Sequence, residues 1–176
     1  TRRRRQRQMC IRDRYIVGGY QSDTPGSRST KVERLDFSND TGTTLKGPLA
    51  SERHQAGGGI GNANYGYSVG GQITGNPSSP PTVTTVERID FANDTATAAP
   101  KGPLSQSRWG LEGTGDQYYG YVAGGQQSYS DYYSQVTTID RIDFSNDTAT
   151  ASPKGYLEMK VRKHAALSAA AAANSP

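Results

Sequence analysis

A motif of about twenty residues occurs three times in this chain, and this repetition constrains the fold more than any other feature of the sequence. The central copy is TVERIDFANDTATAAPKGPL at residues 85–104, and related copies open at Lys31 and Thr138. A glycine pair precedes each copy: Gly18 and Gly19, Gly70 and Gly71, Gly124 and Gly125. The first glycines of these pairs are 52 and 54 residues apart. Such a period predicts a repeat protein in which each unit is one supersecondary structure.

Within each unit the residues alternate as they do in β-strands. The segment YGYSV at 65–69 places its two tyrosines and its valine on one face of a strand. The segment VERIDF at 86–91 predicts a second strand, and the Asn-Asp-Thr that follows is a turn. We expect a third strand to end at Pro100 and Gly102, and a fourth to follow Arg108. The chain is therefore predicted to be all-β, with four-stranded antiparallel sheets.

The order of these signals resembles the kelch repeat, which runs Gly-Gly, Val-Glu-x-Tyr-Asp, a turn, and Pro-Met-x-x-x-Arg. The first two units match it as far as Arg53 and Arg108. Threonine replaces the usual tryptophan after the turn, and the third unit has Asp140 for Glu and Tyr156 for Pro. The YGYxxGG…RIDFSNDTATAS variety is similar to kelch-like repeats in predicted proteins of marine viruses and bacteria. The resemblance implies a β-propeller of four-stranded blades.

Both ends of the chain depart from this pattern. Residues 1–14, TRRRRQRQMCIRDR, have no counterpart in the repeat, and MCIRDR looks like the translation of a sequencing-library transposon end. We interpret this segment as non-native; the alternative is a basic arm for nucleic acid or an anionic surface. At the other end, the spacing predicts another YGYxxGG near Asn174. We therefore interpret 15–176 as about three blades of an open propeller, incomplete at both ends, whose partners would be the remaining blades of its own full-length chain.

The charge of the chain depends on the same segment. Residues 1–14 hold seven of the 20 Lys and Arg residues and one of the 16 Asp and Glu residues. The repeats alone carry a net charge of −2, where the whole chain carries +4, so we expect no nucleic-acid binding. Cys10 is the single cysteine, so the repeats hold no thiol for a disulfide, a metal site or a nucleophile. No apolar run is long enough to span a membrane.

The charged residues that could do chemistry recur in every unit. The pairs are Arg34 with Asp36, Arg88 with Asp90, and Arg141 with Asp143, and a further arginine follows as Arg53, Arg108 and Arg162. Because a catalytic centre is usually unique in a chain, we interpret all of these as structural bonds between neighbouring units. The two histidines, His54 and His164, lack a second ligand or a nucleophile motif. We expect no catalytic residues, no metal and no cofactor.

Two classes of function remain. In a kelch-like blade the loops after the glycine pairs, here 20–31, 72–85 and 126–138, open on one rim of the propeller. Such loops on a rigid scaffold commonly bind ligands, and tyrosines provide stiff contact area. The candidate residues for binding a protein or glycan, in a virion or cell-surface component, are Tyr129, Asp131, Tyr132, Tyr133 and Asn76. The alternative is a propeller enzyme, either a kelch-type oxidase or a glycoside hydrolase. An oxidase would need a Cys–Tyr copper site, and the repeats hold no cysteine; a hydrolase would need clustered acids or an arginine triad, and the catalytic blades of such an enzyme would be missing from this fragment.

Overall fold

The computed structural model describes residues 13–20, 28–37, 42–73 and 78–166, which form eleven β-strands in three antiparallel sheets. Sheet I contains β1 (Asp13–Val17), β2 (Val32–Asp36) and β3 (Thr44–Leu45). Sheet II contains β4 (Gly57–Gly61), β5 (Tyr65–Val69), β6 (Val86–Asp90) and β7 (Ala99–Lys101). Sheet III contains β8 (Glu112–Gly115), β9 (Tyr119–Ala123), β10 (Thr138–Asp143) and β11 (Ser152–Tyr156). The described residues include no α-helix, so the all-β prediction is confirmed.

Each sequence repeat forms one sheet in which consecutive strands are neighbours. Sheets II and III have the four predicted strands, and sheet I has three among the residues described. Equivalent residues pair in the same register, since Tyr67 is opposite Arg88 and Tyr121 is opposite Arg141. No helix in the described part of the chain combines the length and apolarity needed to cross a membrane.

Two details of the predicted strands were wrong. Residues 1–14 have no counterpart in the repeat and no strand was predicted in them, but Asp13 and Arg14 pair with Asp36 and Leu35 of β2. Backbone groups make this ladder, so its extension does not require the side chains of the repeat. Residues 1–12 lie outside the described part. The second error concerns Pro100, which lies within β7 opposite Glu87. Because β7 is an edge strand of sheet II, a residue without an amide proton is tolerated there.

The sheets pack face to face in chain order, and sheet II buries both of its faces. Between sheets I and II the buried side chains are Val32, Leu49, Ile89 and Ala98. Between sheets II and III they are Ile60, Tyr67, Val69, Val86, Leu104, Leu111, Val122, Ile142, Phe144 and Ala151. Each interface also contains a stacked aromatic pair: the rings of Tyr15 and Phe91 are 4.8 Å apart, and those of Tyr67 and Phe144 are 5.0 Å apart. The same interface is therefore built twice.

A buried ion pair joins each sheet to the segment that precedes it. Arg53 Nη2 donates to Glu87 Oε1 at 2.7 Å, and Arg108 Nη2 donates to Asp140 Oδ2 at 2.8 Å. All four side chains are at most 1% exposed. In the third unit Asp140 stands where the second unit has Glu87, and the ion pair with arginine is kept. Each guanidinium also donates to two backbone carbonyls; those bonded by Arg108 belong to Gly124 and Thr138.

A second polar contact joins the sheets through an aspartate of the Asn-Asp-Thr turn. Asp147 accepts from the hydroxyl of Tyr67 at 3.0 Å, from Arg88 at 2.7 Å and from Lys101 at 3.1 Å. Asp94 is bonded in the same way, by Tyr15, Arg34 and Lys46 of sheet I. We call this arrangement the aspartate clasp.

The clasp shifts the pKa values of its members. Burial alone would raise the pKa of Asp147, but the hydrogen bonds from Lys101 and Tyr67 and the charge of Arg88 lower it below the ordinary value. Burial and the hydrogen bond to Asp94 raise the pKa of Tyr15 to about 12. The clasp therefore holds its carboxylate charged and its tyrosine protonated at neutral pH.

The two residues of each predicted Arg-Asp pair have different partners. Arg88 bonds the next sheet through Asp147, whereas Asp90 accepts from the amide of Ala92 at 2.9 Å within its own turn. Asp143 likewise accepts from the amide of Ser145 at 2.9 Å. The arginine thus connects sheets, and the aspartate shapes the turn that follows its own strand.

We expect Arg108→Met to lower the free energy of unfolding by about 3–5 kcal/mol, because it leaves the Asp140 carboxylate buried without its charged partner. Urea denaturation followed by circular dichroism measures the change. The matched control is Arg108→Met with Asp140→Leu, which removes both charges and should recover most of the loss. Equal stability of the wild type and the single variant would contradict the assignment.

We also expect acid to weaken the clasp. The pKa of Asp147 is lowered in the folded state, so its contribution to stability is present above the ordinary pKa of aspartate and is lost as the pH falls through the lowered value. The free energy of unfolding should therefore decrease below about pH 4, and less steeply in Asp147→Asn. Urea denaturation at a series of pH values above and below about pH 4 measures how the free energy of unfolding changes with pH in the wild type and in Asp147→Asn. Parallel pH dependences of the two proteins would refute the role of Asp147.

Candidate functional site

The candidate site lies on the loop that connects β9 to β10, residues 126–138. The loop begins where Gly124 and Gly125 turn the chain out of sheet III with φ angles of +62° and +93°. A Cβ atom on Gly124 would lie 2.7 Å from the carbonyl oxygen of Val161. Glycine is therefore required at this position, both for the left-handed backbone and for the close approach of the neighbouring segment.

Gln126 holds the base of this loop. Its side chain is 1% exposed, and its Nε2 donates to the carbonyls of Ser128 and Asp131, each at 2.6 Å. The hydroxyl of Ser134 also donates to the Asp131 carbonyl, at 2.7 Å. These bonds occupy the backbone carbonyls of Ser128 and Asp131 from within and give the loop a defined shape. Sequence reasoning missed Gln126, although the Gly-Gly-Gln at residues 70–72 and 124–126 was a visible signal.

The structure gives the predicted tyrosines different environments. Tyr132 and Tyr133 are 64% and 82% exposed, and their rings meet edge to face with centroids 5.7 Å apart. Tyr129 is half exposed because one side of its ring covers Trp109, with centroids 5.6 Å apart. Only the first two therefore present most of their surface to solvent.

Asp131 and Asn76, the other predicted site residues, do not join this exposed pair. Asp131 Oδ1 accepts from the amide of Tyr133 at 2.9 Å. Its carboxylate therefore shapes the turn that carries the tyrosines. Asn76 lies outside the described residues, as does Pro77 beside it.

Trp109 is the centre of a cluster that sequence reasoning missed. Its side chain is 1% exposed, beneath Tyr129 and beside two cations. The guanidinium carbon of Arg162 lies 5.0 Å from the Trp109 centroid and 5.4 Å from that of Tyr132, and Lys163 Nζ lies 5.3 Å from Trp109. Cations over aromatic faces are attracted by the ring quadrupole. The available signal was that this tryptophan is the single one in the chain and occurs in one repeat only.

The position of Arg162 corrects our expectation that it repeats Arg53 and Arg108. The amide of the second glycine donates to the carbonyl of Arg53 in the first unit and to that of Arg108 in the second unit. In the third unit the amide of Gly125 donates instead to the carbonyl of Val161, at 2.8 Å. One additional residue between Leu157 and Arg162 shifts the arginine by one position. Because of this shift Arg162 reaches the aromatic cluster.

The histidines do not assemble into a site. His54 occupies the position that Trp109 has in the next repeat, and its ring packs edge to face on Tyr20 at 5.0 Å. Burial lowers its pKa. Across the described residues, no three His, Cys, Asp or Glu side chains lie where they could hold a metal ion together.

Comparison with known proteins bears on the fold alone. No protein-family model matches the sequence, and no curated protein is similar to it. The solved structure of YjhT superimposes with a TM-score of 0.61 at 15% sequence identity. The match covers 81% of this chain and 50% of that one, so the chain spans half the length of YjhT. The likeness is one of backbone arrangement.

We expect Tyr129→Ala to uncover Trp109. The single tryptophan should then emit at a longer wavelength and be quenched more strongly by acrylamide, because water reaches the indole. Tyr133→Ala is the matched control, since its ring packs on Tyr132, and it should leave the emission unchanged. A Tyr129→Ala spectrum identical to that of the wild type would exclude this covering role.

Proposed function

We propose that this chain is a non-enzymatic binding module whose loop 126–138 recognises a protein or glycan surface. The observation that carries the proposal is the exposed Tyr132–Tyr133 pair on a loop that Gln126 and Ser134 hold in place. Exposed aromatic rings are costly to hydrate, and neighbouring exposed rings often mark an interaction site.

A kelch-like propeller fragment is the architecture that we propose for the scaffold. Three repeats give three sheets that pack face to face in the same way, as successive blades would. The kelch signature residues Glu87 and Arg108 are the ones that make buried contacts between sheets. The backbone likeness to YjhT supports a recurrent fold of this general kind. The proposal also includes further blades beyond these three, which would complete the propeller.

The chemistry of the loop suits recognition of a surface by contact. Edge-to-face tyrosines combine a large apolar area with hydroxyl groups at its border, and each has few torsions to immobilise. Arg162 adds a cation against Tyr132, and the exposed Gln127 and Ser130 can exchange hydrogen bonds with a polar partner. Because internal hydrogen bonds already order the loop, binding needs little further loss of conformational entropy.

The use of the buried carboxylates favours binding over the alternative of a propeller enzyme. Glu87 and Asp140 are each saturated by an arginine, a serine hydroxyl and a backbone amide. Asp94 and Asp147 are held by the clasps. A general acid or base needs a carboxyl group that can reach substrate. These four groups are committed to joining sheets.

We expect Tyr132→Ala with Tyr133→Ala to weaken binding at least tenfold, which corresponds to about 1.4 kcal/mol, with an unchanged melting temperature. A ligand is first identified on glycan and protein arrays, and its affinity is then measured by calorimetry. The matched control is Tyr118→Ala, which removes an equally exposed tyrosine, 62% exposed, from the β8–β9 hairpin. If the double variant binds as tightly as the control, the loop is not the binding site.

A further inference from the structure

Two cations lie against the aromatic cluster beside the proposed binding loop. The guanidinium carbon of Arg162 lies 5.0 Å from the ring centroid of Trp109 and 5.4 Å from that of Tyr132. Lys163 is exposed, and its Nζ lies 5.3 Å from the Trp109 centroid. We call Arg162 and Lys163 the cation pair. Because contacts with aromatic rings hold both side chains in place, the cation pair is already ordered next to the exposed ring of Tyr132.

The charge of the cation pair is not balanced by a carboxylate in the described part of the chain. Neither Arg162 nor Lys163 forms an ion pair or a hydrogen bond through its side chain with another described residue. The one acidic residue of loop 126–138 is Asp131, whose Oδ1 accepts from the amide of Tyr133. Residues 167–176 contain no Asp or Glu. The N–H donors of the cation pair therefore remain available to an anionic ligand.

Positive charge is concentrated on this side of the sheets. The pKa of His54 is lowered mainly by burial, and the charges of Arg28 and Lys163 lower it further. Both cations therefore lie within electrostatic range of the His54 ring. The repeats as a whole have a net charge of −2, so such a concentration of cations is not a general property of the chain. A local excess of positive charge attracts anions.

The fold requires neither member of the cation pair. Val161 has the position of the buried arginines of the other units, so Arg162 does not join two sheets. The amide of Lys163 donates to the carbonyl of Gly110 at 2.7 Å, as that of Gly110 donates to the carbonyl of Gln55 at 3.2 Å. The φ angles at these three equivalent positions are +53°, +61° and +51°. Glycine adopts this left-handed backbone without strain, so the fold does not need a lysine there.

We propose that the ligand of loop 126–138 is a polysaccharide that carries carboxylate or sulfate groups, one of which binds to the cation pair. This inference rests on the proposed binding loop and specifies the chemical class of its ligand. Guanidinium and ammonium groups donate strong, charge-assisted hydrogen bonds to such anions. The C–H face of the sugar packs on the exposed ring of Tyr132, and its hydroxyl groups meet the exposed polar side chains of the loop, among them Gln127 and Ser130.

A sugar fits this loop better than an acidic peptide does. Extended peptides bind largely through hydrogen bonds between main chains. In this loop the carbonyls of Ser128 and Asp131 already accept from the side chains of Gln126 and Ser134. The loop therefore offers mainly rings and polar side chains to a ligand, and this combination suits a sugar, which has an apolar face and hydroxyl groups at its edge.

The test pairs each charged polysaccharide with its neutral form. Polygalacturonate is compared with its methyl ester, and dextran sulfate with dextran, so that carboxylate and sulfate are tested separately. Calorimetry is done at about 0.15 M ionic strength, where attraction between exposed charges more than about 8 Å apart is largely screened. We expect at least one charged form to bind roughly tenfold or more tightly than its neutral form. Polyglutamate serves as the acidic peptide.

Two variants of the whole chain with equal net charge identify the site. Arg162→Gln with Lys163→Gln removes both charges of the cation pair, and Gln55 shows that glutamine is tolerated in the left-handed backbone. The matched control is Lys31→Gln with Lys154→Gln, which removes the same charge from two exposed residues outside loop 126–138. Circular dichroism verifies that every variant is folded.

The cation-pair variant should bind the charged polysaccharide roughly tenfold or more weakly than the wild type does, and the control should bind it unchanged. Equal affinity losses in both variants would show attraction by net charge alone and overturn the proposal. A wild type that binds neither charged polysaccharide overturns it as well. So does equally tight binding of the charged and neutral forms, or tighter binding of polyglutamate.

The variant Tyr132→Ala with Tyr133→Ala separates this inference from the proposed function. Loss of the charged polysaccharide in both this variant and the cation-pair variant is the expected result. If the tyrosine variant loses a ligand that the cation-pair variant binds normally, the loop is the binding site and only the present inference is overturned. If the charged polysaccharide is lost in the cation-pair variant but not in the tyrosine variant, both proposals are overturned, because the tyrosines of the loop then take no part.

Discussion

The structure depends on an arginine that leaves its own repeat and ends inside the next sheet. Arg53 and Arg108 are fully buried, and each meets a carboxylate and two backbone carbonyls there; Arg53 also donates to the hydroxyl of Ser51. Removing a charge from water is costly unless its hydrogen bonds are replaced. The guanidinium has enough donors to connect the strand, the glycine turn and the linking segment at one point. The orientation of each sheet relative to its neighbour follows from this geometry.

The aspartate clasp completes each interface at its periphery, where packing is less complete. Its members lie 46 to 80 residues from the aspartate in sequence, yet a tyrosine, an arginine and a lysine converge on one carboxylate. The apolar contact lies between this clasp and the buried ion pair. Because the buried ion pair and the clasp are both directional contacts, the two sheets can pack in only one relative position. This explains how a chain with 32% hydrophobic residues forms two closely similar cores.

The proposed binding loop is separate from this repeated framework. The framework residues occur in every unit, whereas Trp109, the tyrosines of loop 126–138 and Arg162 occur once. They meet because the glycine turn directs the loop outward and an added residue brings Arg162 under it. A rigid support allows such a surface to vary without cost to the interfaces between sheets. We therefore assign the proposed recognition to residues that differ between the repeats, and stability to residues that the repeats share.

The sequence by itself determined the period, the strands and their register. Alternation in YGYSV and VERIDF is a local property, so β5, β6 and their counterparts were predictable from the residues alone. The tertiary structure decided which side chains meet across sheets. Neither the convergence on Asp94 and Asp147 nor the covering of Trp109 by Tyr129 has a local signature. Pro100 is accommodated because β7 lies at an edge of sheet II. Such contacts join distant parts of the chain, and only the packing of complete sheets defines them.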